Sequence, residues 1–388
     1  MKTPTSTIVA LGLSQTLAWA SSYYLLAILA NPIARDLRVG VPTVFAAFSV
    51  ALIVSALLGP AAGRAIDMHG GRPVLVMTSF IFAAALAVLA LANGPVMLFG
   101  SWIILGVAMA LGLYEAAFAT LVFLHGKDSR GAITGITLFA GFASTVGWPL
   151  TAWLELRWGW RTACMTWAVL HLLVALPLNW SLPRTRVTHF PAHTLAPVKE
   201  EDHKWTDDTR KAVLLAVIFA VTWFISTAMA AHLPRLLQAN GVPLTSALLF
   251  AGLVGPAQVA GRLLEYGLLR NVHPLLSARL ASIMHTLGAG IFLIVGGPAG
   301  ALFTILHGAG NGILTIAKGT LPLALFGPKS YGARQGLLMV PARFAQATAP
   351  YLFGLAIDGF GGAALWISAA IGLVGFLALM LLQTEQAQ

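Results

Sequence analysis

Charge is what this sequence has least of. Only 9% of its 388 residues are Asp, Glu, Lys or Arg, against about 25% in a soluble domain. Acids are the scarcer sign, 13 against 23 bases. So few charges exclude a soluble globular domain, and with 58% hydrophobic residues the chain reads as an integral membrane protein. Cysteine is reduced to Cys164, which excludes a disulfide framework and a cysteine metal cluster. Also lacking are a phosphate-cradling GxxxxGK[ST], a metal-spaced His and acid cluster, and a Ser-His-Asp order that the topology could unite. The expectation is therefore a protein that is not an enzyme and that uses no cofactor and no metal.

What is present is a succession of apolar windows of ~20 residues, broken by charge, Gly and Pro. They predict helices at 6–31, 41–63, 73–93, 95–122, 130–153, 161–182, 210–233, 243–268, 275–296, 299–325, 333–356 and 362–383. The first run is longer than the 7 to 15 residues of a signal-peptide core and is read as a span. With the N-terminus cytoplasmic, fifteen Lys and Arg fall on inner segments and five on outer ones. That bias places both termini in the cytoplasm of a multi-pass inner-membrane protein. The net charge of +10 is then a topology signal, and nucleic acid is not an expected partner. The one long polar stretch divides the chain into residues 1–182, a six-helix half, 183–209, a cytoplasmic linker, and 210–388, a second six-helix half. Gly40-Val41-Pro42 and Gly241-Val242-Pro243 open the second and eighth helices, and a Gly-Pro and a Gly-Arg follow each of them. This supports two parallel halves with a central site between them.

Between the second and third helices runs Gly63-Arg64-Ala65-Ile66-Asp67-Met68-His69-Gly70-Gly71-Arg72-Pro73. It is a glycine turn flanked by Asp67 and Arg72, charges suited to capping and pairing with helix ends. The stretch resembles the loop signature of the major facilitator superfamily. The resemblance covers essentially the whole chain and implies an all-α membrane protein of twelve transmembrane helices in two six-helix halves. It also implies transport by alternating access, with Gly63, Asp67, Gly70, Gly71 and Arg72 as a latch made in one state and broken in another. The corresponding place in the second half ends in Asn271 instead of an aspartate.

Ser129-Arg130-Gly131, Gly147-Trp148-Pro149-Leu150, Gly159-Trp160-Arg161 and Gly261-Arg262 are similar to the monocarboxylate and oxalate/formate branch. That resemblance implies a small carboxylate as cargo, held by Arg262 on the eighth helix, with Arg343 matching a second cation on the eleventh. Two departures stand beside it. The first helix offers Gln15, Trp19, Ser22, Tyr23 and Tyr24 but no lysine, and Gln258 stands where the proton-linked members carry an acid.

The ionisable residues at membrane depth carry their own argument. Arg262 lies nine positions from the end of its apolar run, roughly 13 Å, and a charge so deep costs at least ~2.5 kcal/mol unless a cavity or partner receives it. The plainer alternative is a brace, with Glu265 one turn on as its partner. His307, Asn311, Thr315 and Lys318 form one stripe along the tenth helix, and Arg343 shares a face with Gln346. Tyr114 and Glu115 lie inside the fourth helix. Arg262, Lys318 and Arg343 outnumber Glu115 and Glu265, and a bound anion would balance the surplus, with the planar Arg fork suited to a carboxylate. The expected substrate site is Arg262, Arg343, Lys318 and Asn311 together with Tyr23, Tyr24 and Gln15; Glu115, His307 and Glu265 are the candidates for proton coupling. The protein is expected to be a monomeric secondary carrier of a small organic anion in the lipid bilayer, a mono- or dicarboxylate. The alternative is a proton-driven efflux carrier for drugs or other amphipathic molecules, with Glu115 or His307 as its proton site.

Overall fold

In a computed structural model of the protein, residues 5–184, 202–269 and 272–383 are described, the side chains of 202–207 excepted. Among them there is no strand. Twelve rods account for the helices. They are α1 (Thr5–Ala20 and Leu26–Asp36), α2 (Val41–His69), α3 (Gly71–Ala90) and α4 (Pro95–Gly112 and Tyr114–His125). Next come α5 (Arg130–Ala140 and the first part of Ala143–Leu170) and α6, which starts where Gly159 turns the chain (φ 80°, ψ 167°) and runs through a π-helical His171–Ala175 to Trp180. The second set is α7 (Asp202–Ala239), α8 (Leu244–Gly252 and Val254–Leu264), α9 (Pro274–Val295), α10 (Gly300–Phe326), α11 (Tyr331–Phe360) and α12 (Ala364–Leu381). Among the described residues eight continuous stretches are long and apolar enough to cross a membrane, the longest of them, Pro95–Trp180, far longer than one crossing needs. Large apolar side chains such as Leu57, Val96 and Ile294 are exposed, a surface that lipid tolerates and water does not.

Several helices expected to be continuous are interrupted, each for a local reason. In α1, Ser21 and Ser22 donate back to the carbonyls of Leu17 (2.8 Å) and Ala18 (2.5 Å), and the Tyr24 amide reaches the Trp19 carbonyl instead of the usual fourth one back. Such back-bonding bends helices. In α4, Leu113 is extended (φ −85°, ψ −168°) and frees the Gly112 carbonyl, which accepts from Gln15 Nε2 at 2.6 Å. In α8, a turn at Leu253 and a π-helical Glu265–Leu269 interrupt the rod. Gln15 was expected at the substrate site; its amide nitrogen donates to the backbone of α4. Gln15→Leu is therefore expected to leave a buried carbonyl unsatisfied and destabilise the fold by about 1–3 kcal/mol, read as a lowered melting temperature in detergent.

The chain forms two compact units, Met1–Val213 with Phe326–Leu337, and Leu214–Leu325 with Leu338–Gln388. The start of α11 thus packs with the N-terminal unit. Trp102, Trp167, Phe82 and Phe118 fill the core of the first unit, and Leu236, Leu237, Phe292, Phe303 and Phe353 that of the second. The expected linker 183–209 lies mostly outside the described residues, as do Arg270 and Asn271. Its last part, 202–209, is already the first two turns of α7.

Candidate functional site

Three groupings of side chains stand out. The first is in the N-terminal unit. Asp67, at the end of α2, accepts from the amides of Gly332 (2.9 Å to Oδ1) and Ala333 (2.8 Å to Oδ2), so one carboxylate caps the first turn of α11. The approach that permits this is made by glycine. Gly59 and Gly63 on α2 face Gly336 and Gly332 on α11 backbone to backbone, and a Cβ on Gly63 would overlap the Gly332 carbonyl. Small residues four apart on both helices are the usual means of bringing two backbones together. Beyond the cap, Gly70 has φ +79°, open to glycine, and a Cβ on Gly71 would strike Thr120. Arg72 does not join Asp67; its guanidinium lies over the Trp180 ring at 5.2 Å.

Glu115 lies in the first turn of the second segment of α4, where a negative charge is favoured by the helix end. Around the break in α1, Trp19 packs against Tyr23 (5.4 Å between centroids) and Tyr114 (4.9 Å), Tyr23 against Tyr24 and Phe48, and Tyr24 against Trp148. Tyr23 and Tyr24 thus belong to an aromatic wall that also holds Tyr114.

The second grouping is in the C-terminal unit. Lys318 on α10 and Arg343 on α11, each 2% exposed, converge on one indole: Lys318 Nζ lies 4.7 Å and Arg343 Cζ 5.6 Å from the centre of Trp223 on α7. Arg343 Nη1 also donates to Gln346 Oε1 at 2.9 Å. Arg262 and Glu265 are both buried where α8 passes from α- to π-helix. Trp223 was not among the residues singled out from the sequence. An aromatic in an apolar helix carries no signal of its own there, because only the fold puts two cations over it.

The third grouping also lies in the C-terminal unit. His307 Nδ1 is 3.0 Å from His285 Nδ1 on α9, whose Nε2 is 3.2 Å from Ser368 Oγ on α12. A small cavity opens beside the pair, with Asn311 in its lining. The polar stripe of α10 thus runs from this pair past Asn311 and Thr315 to Lys318 at the Trp223 cluster.

The sequence model described as Major Facilitator Superfamily matches residues 11–305. A protein of Thermoproteus tenax, described as an uncharacterized 38 kDa protein in a 23S RNA operon, is 28% identical over 361 residues, which is 92% of this chain and 90% of that one. The multidrug resistance protein MdtH of Salmonella paratyphi B is 29% identical over 154 residues, covering 39% of this chain and 37% of MdtH. Among solved structures, the superfamily transporter FucP in its outward conformation superposes with a TM-score of 0.77 at 14% identity, over 97% of this chain and 99% of FucP. The proton:xylose symporter XylE gives 0.74 at 14% identity over 96% and 94%, and the human organic anion transporter MFSD10 0.69 at 16% over 97% and 100%. At these identities the structures speak for the fold alone.

Proposed function

Since the chain belongs to the Major Facilitator Superfamily, and is a membrane transporter and not an enzyme, we propose that it carries a small organic anion, a mono- or dicarboxylate, across the inner membrane by alternating access. The observation that carries this reading is the convergence of Lys318 and Arg343 on Trp223. Two like charges brought together away from water repel one another, and an anion received beside them lowers that energy. The guanidinium supplies a planar two-pronged donor and the ammonium a point charge, a pairing suited to carboxylate oxygens. Gln346 holds one prong of Arg343 in place. Arg262, one turn from the acid Glu265, is assigned to the same function as a further cation of α8. We assign the Asp67 cap to conformational exchange and not to cargo, since it binds the backbone of α11. The excess of Lys and Arg on alternate loops supports cytoplasmic termini, and a single chain is the proposed working unit.

A second reading has its own observation. The aromatic wall of Trp19, Tyr23, Tyr24 and Tyr114 suits an amphipathic or cationic molecule, and the partial match to a multidrug resistance protein points the same way. Thermal stabilisation of the purified protein separates the two. A cognate carboxylate at one hundred times its Kd adds about 2.7 kcal/mol, and the anion reading expects such stabilisation from a member of a mono- and dicarboxylate panel. Stabilisation by ethidium with none from any carboxylate would overturn it.

A further inference from the structure

We propose that His285 and His307, with Ser368 behind them, form a proton-binding site inside the C-terminal half, loaded through the cavity beside them. The hydrogen bonds set out its chemistry. Ser368 Oγ donates to the Leu365 carbonyl at 3.0 Å, so its oxygen accepts from His285 Nε2–H at 3.2 Å. His285 Nδ1 then carries a lone pair, and His307 Nδ1–H donates to it at 3.0 Å. Both nitrogens of His285 and Nδ1 of His307 are thereby engaged, and the group left over is the Nε2 lone pair of His307, which makes no hydrogen bond to any described residue. His307 lines a cavity of about 30 Å³, together with Thr222 of α7, Ser282 of α9 and Asn311 of α10. That is room for about two waters, with polar partners to hold them.

Two nitrogens 3.0 Å apart have room for one hydrogen between them. The pair therefore has a neutral state with two ring protons and a singly charged state with three, while a doubly charged state is excluded by the contact itself. A proton from cavity water goes to His307 Nε2, the Nδ1 hydrogen is shared with His285, and no other bond breaks. A positive charge in a membrane core is costly unless it is spread or solvated, and here two rings and the cavity waters take it up together. The rings must then titrate as one unit.

Three of the cations on the surrounding helices have partners away from the pair. Arg279 on α9 donates to the Leu379 and Leu382 carbonyls at the end of α12, and Lys318 on α10 and Arg343 on α11 lie over Trp223. Arg262 and Glu265 are on α8, which passes α10 where Gly261 meets the Ala309 carbonyl. From α12 the pair meets Gly372 and Ser368, and Thr222 of α7 and Gly375 of α12 line the same cavity, none of them titratable in this range. Each imidazole thus has the other as its one titrating neighbour among the described residues. Eleven residues of α10, about 16 Å, separate His307 from Lys318. Asn311 and Thr315 lie between them on the same stripe, so the proton and the anion would occupy two ends of one polar line.

The test needs no substrate and so does not depend on the anion reading. The full chain, ¹⁵N-labelled at histidine and held in lipid nanodiscs, is titrated between about pH 8 and pH 4 while ring nitrogen shifts and total proton uptake are followed. His285→Gln and His307→Gln assign the signals. The expected result is that both rings change at one common midpoint, and that the double variant takes up one proton fewer per chain than the wild type. Ser368→Ala should move that midpoint without removing the transition. Rings that stay neutral throughout in a folded protein, or that titrate independently with two protons lost in the double variant, would overturn the proposal and leave a structural hydrogen bond only.

Discussion

Arg343→Ala is expected to weaken carboxylate binding by ~100-fold or more, since about 2.7 kcal/mol of charge-assisted hydrogen bonding is lost. Arg343→Lys, which keeps the charge and loses the planar fork, should cost ~10-fold. Both variants should still insert and fold, because Lys318, Trp223 and Gln346 remain in place. A brace predicts the opposite pattern. Removing one partner of a buried charged contact that holds helices together costs ~3–5 kcal/mol of stability, so Arg343→Ala would melt far lower while the surviving folded fraction bound its cargo unchanged. The same pair of readouts decides Arg262, with Glu265→Gln as the control: a brace is damaged equally from either end, whereas a cargo residue is damaged only at the arginine.

Gly63→Leu is expected to stop transport almost completely while leaving affinity within a few-fold. The side chain would be driven into the Gly332 carbonyl, so the first turn of α11 could no longer reach Asp67. Asp67→Asn is the milder form of the same lesion. It keeps an acceptor but weakens two charge-assisted bonds, each worth ~1.5–3 kcal/mol, and should slow exchange ~10-fold. Transport at the wild-type rate in a folded Gly63→Leu protein would refute the assignment of this contact to conformational exchange.

These two expectations differ in how far the sequence reveals them. Asp67 announces itself through the glycine turn around it, but its partners are backbone amides of α11, and amides have no sequence signature. Gly332 and Gly336 do have one, four apart like Gly59 and Gly63, and the matching pair of spacings is legible once it is sought. The twelve helices follow from apolar length alone, because lipid permits little else. Their interruptions do not, since a window average over α4 cannot register one extended residue at Leu113 or the Gln15 amide that satisfies it. Lys318 and Arg343 are conspicuous as charges among apolar neighbours, whereas Trp223 is invisible until α7 is packed beside them. His285 was passed over for a similar reason. Its partner His307 belongs to a polar stripe that ends in a lysine, while the sequence of α9 does not single out His285, and only the packing of α9 on α10 joins the two.

Counterflow in liposomes tests the central claim most directly. Purified protein is reconstituted with an unlabelled carboxylate from the stabilising panel inside, and entry of the labelled compound is followed. The account predicts transient accumulation of label above equilibrium, abolished by Arg343→Ala and by Gly63→Leu, with carboxylate affinity lost in the first variant and kept in the second. Absence of counterflow for every mono- and dicarboxylate tried, or full counterflow by the folded Arg343→Ala protein, would contradict it.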